Sequence, residues 1–337
     1  MAVSPYETIG LFSLHSGSIP SARNASLGLV VGIPQGTTCS SQSCIDQSLK
    51  LGADEVVTDI GQLQEPALYT WYQTRVKEYS WMISYSSYAP EMELHREVLT
   101  CMGNGYLGIR GCFEGERASS EHCPGTFIAG VFEPIPEEAY VKGPRDLLVR
   151  CPNWCLVEFA IDDGSFESVF SGQILSYEHS LDFRSAVMSR TIVVRNKQGQ
   201  DTQLVTRQVA SMPSYHVCAI EYTLTPLNYS GKVTIRSSIA VDDPQSVLQP
   251  LNILEMGRKE HAEKGIYMVA QTAVHKTMIV LHATHNLMMG AHQVMDSVTV
   301  ETTPTSVAEN HIFSAREGTP YTLHKVVSIF TSRDSEC

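Results

Sequence analysis

Apolar and polar side chains alternate along much of this chain. Val233, Ile235, Ile239 and Val241 are interleaved with Thr234, Arg236 and Ser238, and Cys218, Ile220, Tyr222 and Leu224 keep the same period of two. That period puts one set of side chains on one face of a pleated strand and the other set on the opposite face. Further strand candidates lie at 188–195, 204–210, 267–274, 278–284, 294–300 and 323–330. Turn chemistry separates them, in Asn196-Lys197-Gln198-Gly199, Asn228-Tyr229-Ser230-Gly231 and Asp242-Asp243-Pro244. Short strands punctuated in this way predict a mainly β domain from residue 79 to 337, built as a large antiparallel β super-sandwich.

The first 63 residues follow another pattern. Leu27 to Gly32 is a short apolar run bounded by glycine, as in a buried parallel strand, and 43–51 has helical character. Gly52 to Val57 turns into a second short strand. Strand, helix and strand in this order predict a small, incomplete α/β segment over 1–63, with too few strands to close a sheet of its own. Residues 64–78 contain no glycine, and their one proline, Pro66, stands where a helix can begin, so a linking helix is expected there.

Composition narrows the function classes. Hydrophobic residues make up 43 % and charged residues 18 % of the 337, enough to bury a sizeable core. The formal net charge of −12, without a basic run, argues against nucleic acid and anionic membrane surfaces as partners and leaves neutral ligands such as sugars open. The nine cysteines are odd in number and contain no Cys-x-x-Cys pair. They are expected to be reduced thiols in a cytoplasmic protein, with Cys151 and Cys155 packed rather than metal-bound. The start of the chain lacks a signal-peptide pattern, no apolar window is long enough to span a membrane, and the sequons at Asn24 and Asn228 are read as chance.

Gly103, Gly105, Gly108 and Gly111 crowd one short stretch together with Asn104, Tyr106 and Arg110. Gly103-x-Gly105-x-x-Gly108 formally fits a dinucleotide fingerprint, but another glycine follows at once and no helix can start there. A tight turn is expected instead, with positive φ at one or more glycines and Arg110 bonded to carbonyls or carboxylates beneath it. Three other groups invite chemistry. His275, His282, His285 and His292 cluster in sequence, but 282 and 285 point to opposite faces of a strand, so no metal site is expected. Asp162-Asp163-Gly164 and Asp242-Asp243-Pro244 read as turns. Glu114 and Glu116, just after the glycine-rich stretch, read as a solvated loop, with approach to a ligand in a partner domain as the alternative.

Residues 97–111, ending in Gly-Asn-Gly-Tyr-Leu-Gly-Ile-Arg-Gly, resemble the signature of the N-terminal domain of glycoside hydrolase family 65, which includes maltose, trehalose, kojibiose and nigerose phosphorylases and acid trehalases. Further landmarks follow in order: Trp81; Gly125 to Phe132; Pro152-Asn153-Trp154; Leu181-Asp182-Phe183-Arg184 with Ser189-Arg190; Arg207 with Ser211-Met212; and Thr331-Ser332-Arg333-Asp334. The resemblance implies a β super-sandwich that braces an (α/α)6 catalytic barrel, shapes its active-site rim and contributes to a homodimer. The catalytic acid and the phosphate-binding residues belong to that barrel, to which nothing here can be matched. The expectation is therefore no catalytic residue, no cofactor and no metal in this chain, with Gly103, Asn104, Gly105, Tyr106, Gly108, Arg110, Gly111, Trp154, Asp182 and Arg184 as a structural signature.

The implied parent activity is α-glucoside phosphorolysis, in which a disaccharide and inorganic phosphate as co-substrate give β-glucose 1-phosphate and glucose; trehalose or kojibiose is the expected substrate. The barrel is expected in cis in a longer product, and the chain alone is expected to be inactive. The alternative is a stand-alone carbohydrate-binding or scaffold module that stacks sugars on Trp71, Trp81 or Trp154. Residues 1–63 resemble the last part of a β-phosphoglucomutase-like haloacid-dehalogenase domain, in Gly17, Ala22, Leu27 to Gly32 and Gly52 to Leu63. That family's magnesium-holding acidic pair would fall at Ser13-Leu14, neither of which is a carboxylate, so a magnesium site is not expected.

Overall fold

The structure, a computed structural model, describes residues 81–134, 146–162, 164–241, 251–260 and 264–335, and the backbone of three short strands before them. The chain divides into two compact units, Met1–Met82 and Ile83–Cys337.

In the first unit, β1 (Ile9–Ser13), β2 (Leu29–Ile33) and β3 (Glu55–Val56) pair in parallel in the order β1-β2-β3. Two of these strands were expected; β1 was not. The expected helices over 43–51 and 66–78 lie outside the described residues.

In the second unit, β4 (Met82–Tyr85) is followed by α1 (Pro90–Leu99), the edge hairpin β5 (Met102–Gly103) and β6 (Leu107–Ile109), then β7 (Thr126–Pro134), β8 (Asp146–Arg150) and β9 (Val157–Ile161). A meander comes next, with β10 (Gln173–Asp182), β11 (Val187–Arg195), β12 (Asp201–Ala210) and β13 (Val217–Pro226), after which β14 (Gly231–Ala240) crosses to another sheet. The chain continues with β15 (Leu251–Lys259), β16 (Gly265–Thr272), β17 (Met278–Met289), β18 (His292–Gln293), β19 (Ser297–Thr302), β20 (Ser306–Ala315) and β21 (Tyr321–Thr331).

One 10-stranded sheet runs β15-β16-β17-β21-β13-β12-β11-β10-β4, with β18 beside β17; a 4-stranded sheet runs β19-β20-β14-β9; another runs β5-β6-β7-β8. The result is a mainly β sandwich of large antiparallel sheets, as the alternation predicted. Cys218, Ile220, Tyr222 and Leu224 on β13 and Val233, Ile235 and Ile239 on β14 belong to one apolar core that also takes in Leu281, Leu323 and Ile329. Each such side chain contributes about 1.5–3 kcal/mol by leaving water.

Helix α1 was not expected. Pro90 opens it, Glu91 and Glu93 occupy its first turn, and Arg96 its last, a charge order that suits the helix dipole. Its burial is inverted: Glu93 and Glu97 are buried, while Met92, Leu94, Val98 and Leu99 are exposed.

Candidate functional site

The glycine-rich stretch is a β-hairpin rather than a strand–turn–helix. Asn104 organises it: its Oδ1 accepts from the N–H groups of Tyr106 (3.2 Å) and Leu107 (3.1 Å), and its Nδ2 donates to the carbonyls of Ser211 (2.7 Å) and Tyr215 (2.9 Å). Of the four glycines only Gly105 has a left-handed backbone, with φ of 87°. Gly111 is required by close approach, because a Cβ there would lie 2.0 Å from Thr100 Oγ1 and 2.9 Å from the Thr100 carbonyl oxygen. Gly103 and Gly108 sit opposite one another in the β5–β6 ladder. Arg110 donates to the Leu94 carbonyl (3.2 Å) and to Glu97 (3.4 Å), and Tyr106 donates to Asp334 (2.6 Å).

The sheet registers bring distant landmarks to one rim. Because β10 to β13 and β21 are mutually antiparallel, the β10–β11 turn, the β12–β13 turn and the end of β21 lie at the same end of the large sheet. Asp182 and Arg184 occupy the first turn, where the Asp182 carboxylate accepts from Arg184 N–H (2.9 Å) and Ser185 hydroxyl (2.8 Å). Ser211, Met212 and Tyr215 form the second, to which Asn104 is bonded. Asp334, at the third, also accepts from Thr331 N–H (2.6 Å), and Arg333 donates to the Gly130 carbonyl. Glu133 on β7 receives the N–H groups of Val274 (2.7 Å) and His275 (2.8 Å) from the β16–β17 turn at the same end. Met212, Phe132 and Val274 are exposed around this rim.

The rim carboxylates act as acceptors. The Ser185 hydroxyl and Arg184 N–H hold Asp182 below the usual carboxylate range. Burial pushes Glu133 up, but the N–H of His275, the Thr272 hydroxyl and the N–H of Val274 bring it below its ordinary value. An acid that protonates a glycosidic oxygen needs the opposite shift. These two groups tie loops together.

Glu114 is a correction: it is fully buried, not solvated. It pairs with buried Arg190 at 3.2 Å and accepts from the Thr206 hydroxyl at 3.1 Å. Arg190 also donates to the Gly111 carbonyl (3.0 Å), so the pair holds the end of the glycine-rich hairpin. Glu116 is half-buried and accepts from Ser168; burial raises its carboxyl above the ordinary value. Trp154 is wholly buried and donates to Thr126 at 2.9 Å, which removes it as a sugar-stacking platform. Trp71 lies outside the described residues, and Trp81 is exposed.

Cys151 and Cys155 are buried thiols, and burial pushes Cys151 up to about 12. Asp162 occupies a turn closed by Gly164 N–H to the Ile161 carbonyl at 3.0 Å, and 242–244 lies outside the described residues. The four histidines do not converge. His275 is in the β16–β17 turn and His292 is exposed on β18, whereas His285 turns inward and meets Ser237 on β14 at 2.8 Å. His285 instead lies beside two residues that the sequence pattern did not single out, Glu309 and His311 on β20. A cleft of about 360 Å³, lined by Asp162, Glu167, Lys197 and Gln198 among others, opens by the β11–β12 turn, at the end of the sheet away from the rim.

The fold and the bonded rim define a large antiparallel sandwich whose signature residues fasten loops to one another. The sequence pattern of the glycosyl hydrolase family 65 N-terminal domain matches residues 83–337, and the chain belongs to that family. It is 29 % identical over 263 residues to an uncharacterized glycosyl hydrolase of Mycobacterium tuberculosis, covering 76 % of this chain and 20 % of that protein. With the alpha,alpha-trehalose phosphorylase of Thermoanaerobacter brockii it shares 24 % identity over 271 residues, 75 % of this chain and 34 % of the relative. With the kojibiose phosphorylase of Caldanaerobacter subterraneus subsp. tengcongensis it shares 29 % over 208 residues, 60 % of this chain and 26 % of the relative. Among solved structures, a putative kojibiose phosphorylase from the human microbiome superposes with a TM-score of 0.62 at 13 % identity, over 76 % of this chain and 33 % of that one, a likeness of fold. The chain thus spans between about a fifth and a third of the length of these relatives.

Proposed function

We propose that residues 83–337 are the non-catalytic sandwich of an α-glucoside phosphorylase in carbohydrate metabolism, and that the bonded rim and the outer face of α1 brace a catalytic domain. The observation that carries this reading is the convergence of the family landmarks on one rim, with every carboxylate described there engaged as an acceptor. An apolar helix face is seldom left exposed without a partner. Leu94, Val98 and Leu99 lie on such a face, and Leu94 sits beside Arg110 through its carbonyl. The reaction of the complete protein is disaccharide phosphorolysis with trehalose or kojibiose as substrate, in a cytoplasmic homodimer, and its proton donor resides outside this chain.

The isolated chain is expected to release no glucose from trehalose, kojibiose, maltose or nigerose, with or without phosphate. A coupled glucose assay checks this, and turnover that follows the purified protein through chromatography would refute it. A stand-alone sugar module is disfavoured by the burial of Trp154; saturable heat on titration with these disaccharides would restore it.

We further infer that residues 1–63 descend from a β-phosphoglucomutase-like domain. The parallel order of β1, β2 and β3 supports an α/β unit, and Ser13 at the end of β1 stands where that family carries a carboxylate. Calorimetric titration should detect no stoichiometric micromolar magnesium site; finding one would contradict this reading.

A further inference from the structure

The inward stripe of β20 reads Val307, Glu309, His311, Phe313 and Ala315, so two ionisable side chains stand where the alternation calls for apolar ones. They meet His285, which comes from β17 in the facing sheet. Glu309 Oε1 lies 3.4 Å from His285 Nδ1 and 3.2 Å from His311 Nε2, and the three residues offer ligand atoms all within 4.8 Å of one another. Both nitrogens are buried, and their contacts with Glu309 fall outside hydrogen-bonding geometry. A buried polar atom without a well-formed hydrogen bond costs about 1–3 kcal/mol, so the convergence of two of them on one carboxylate oxygen calls for an explanation.

We propose that His285 Nδ1, His311 Nε2 and Glu309 Oε1 form a binding site for a divalent transition-metal cation of the zinc class. In a tetrahedral zinc site with nitrogen and oxygen ligands, neighbouring ligand atoms are about 3.3 Å apart, close to the two separations found here. The far nitrogen of each imidazole is already oriented. His311 Nδ1 pairs with Asp296 at 2.6 Å, and His285 Nε2 pairs with Ser237 Oγ at 2.8 Å. Such outer partners fix tautomer and ring direction in histidine–metal sites. The other Glu309 oxygen faces Arg258 Nε at 3.7 Å, which leaves Oε1 for the ion. Arg258 and Asp296 are partly exposed, with side-chain exposures of 25 % and 13 %, and mark the way in. Burial, the largest influence on His285, holds it down at about 4, so it is a neutral imidazole at physiological pH, the form that ligates. In the metal-free chain a proton on His311 is favoured by Glu309 and Asp296 despite burial, so binding releases that proton.

A second cluster, Glu97, Cys112 and His122, is the competitor. Its acceptors are used, because Glu97 takes Cys123 N–H (3.0 Å) and Arg110 (3.4 Å) as well as His122 (3.1 Å), and burial pushes the Cys112 thiol well up. The two clusters are separable by spectroscopy. The chelator-stripped chain should take up one equivalent of Zn²⁺ in competition with a chromophoric indicator. Co²⁺ in its place should give visible d–d absorption without a thiolate charge-transfer band. His285→Gln and His311→Gln should each lower affinity at least a hundredfold. Asp296→Asn, at a partly exposed position, should weaken binding about 10- to 100-fold in a chain that still melts cooperatively in chelator, and His292→Ala should change nothing. A thiolate band, uptake unaltered in Asp296→Asn, or no stoichiometric uptake would each overturn the proposal.

Discussion

Arg190→Met is expected to cost the chain about 3–5 kcal/mol of stability, read as a fall in the urea midpoint at unchanged slope. Arg190 and Glu114 are both buried, with exposures of 2 % and 0 %. The guanidinium donates to Glu114, to the Gly111 carbonyl and, at 3.3 Å, to His179 Nε2. Burial, together with Arg190 and Arg96, pushes His179 down to about 2, so it remains a neutral acceptor. Removing the guanidinium strands the Glu114 carboxylate in the core with one hydroxyl donor, Thr206. Breaking one side of a buried pair is far more costly than replacing both sides with apolar groups. The double variant Glu114→Leu/Arg190→Met should therefore recover most of the loss, with a coupling energy of about 2 kcal/mol or more. Strict additivity in that cycle would mean that the two charges do not stabilise one another.

The contrast between what the residue pattern showed and what it hid has a physical basis. Strands β11, β12, β13, β14, β16, β17 and β21 are legible because one face of each is apolar, and the period of two survives in the sequence. Strand β20 is not, since Glu309 and His311 occupy its inward stripe and break the alternation. Helix α1 carries its signal in Pro90, Glu91, Glu93 and Arg96, but its inverted burial hides the apolar stripe by which helices are recognised. The glycine-rich turn and the landmark residues stand out in the sequence, yet their roles depend on pairing across long separations. Asn104 meets residues more than a hundred positions away, and Glu114 looks solvated until Arg190, 76 residues on, is placed beneath it. Local composition carries no record of such meetings, and the same holds for the site at His285, whose partners come from another sheet.

Glu97→Gln is expected to reshape the pH dependence of stability, most strongly near pH 5 to 6. Glu97 is 1 % exposed and sits on the inward side of α1. Burial pushes its carboxyl up, but His122, Cys112 and the Cys123 N–H outweigh burial and hold it below 4.5. Burial pushes His122 down, and Glu97 and Glu116 outweigh that, raising it above 6.5. The signs of the two linkages are opposite. The depressed carboxylate contributes stability that is complete above about pH 4.5 and is lost as pH falls through its folded value. The raised imidazole contributes stability that is complete below about pH 6.5 and is lost as pH climbs through its folded value. Both are present together only between those limits, so the advantage of the native chain over Glu97→Gln should peak there at about 3 kcal/mol and shrink on either side. Glutamine keeps the shape of the side chain and can still accept from Cys123 N–H, and the lost pairing with Arg110, which stays charged throughout this range, leaves the His122 interaction as the source of the change at the upper limit. Titrating groups remote from the pair are common to both proteins and cancel in the difference, while Glu116, which faces the same imidazole, responds with it. Urea midpoints measured from pH 4 to 8.5 give the two curves directly; parallel curves would show that the Glu97–His122 pair does not carry the charge interaction assigned to it.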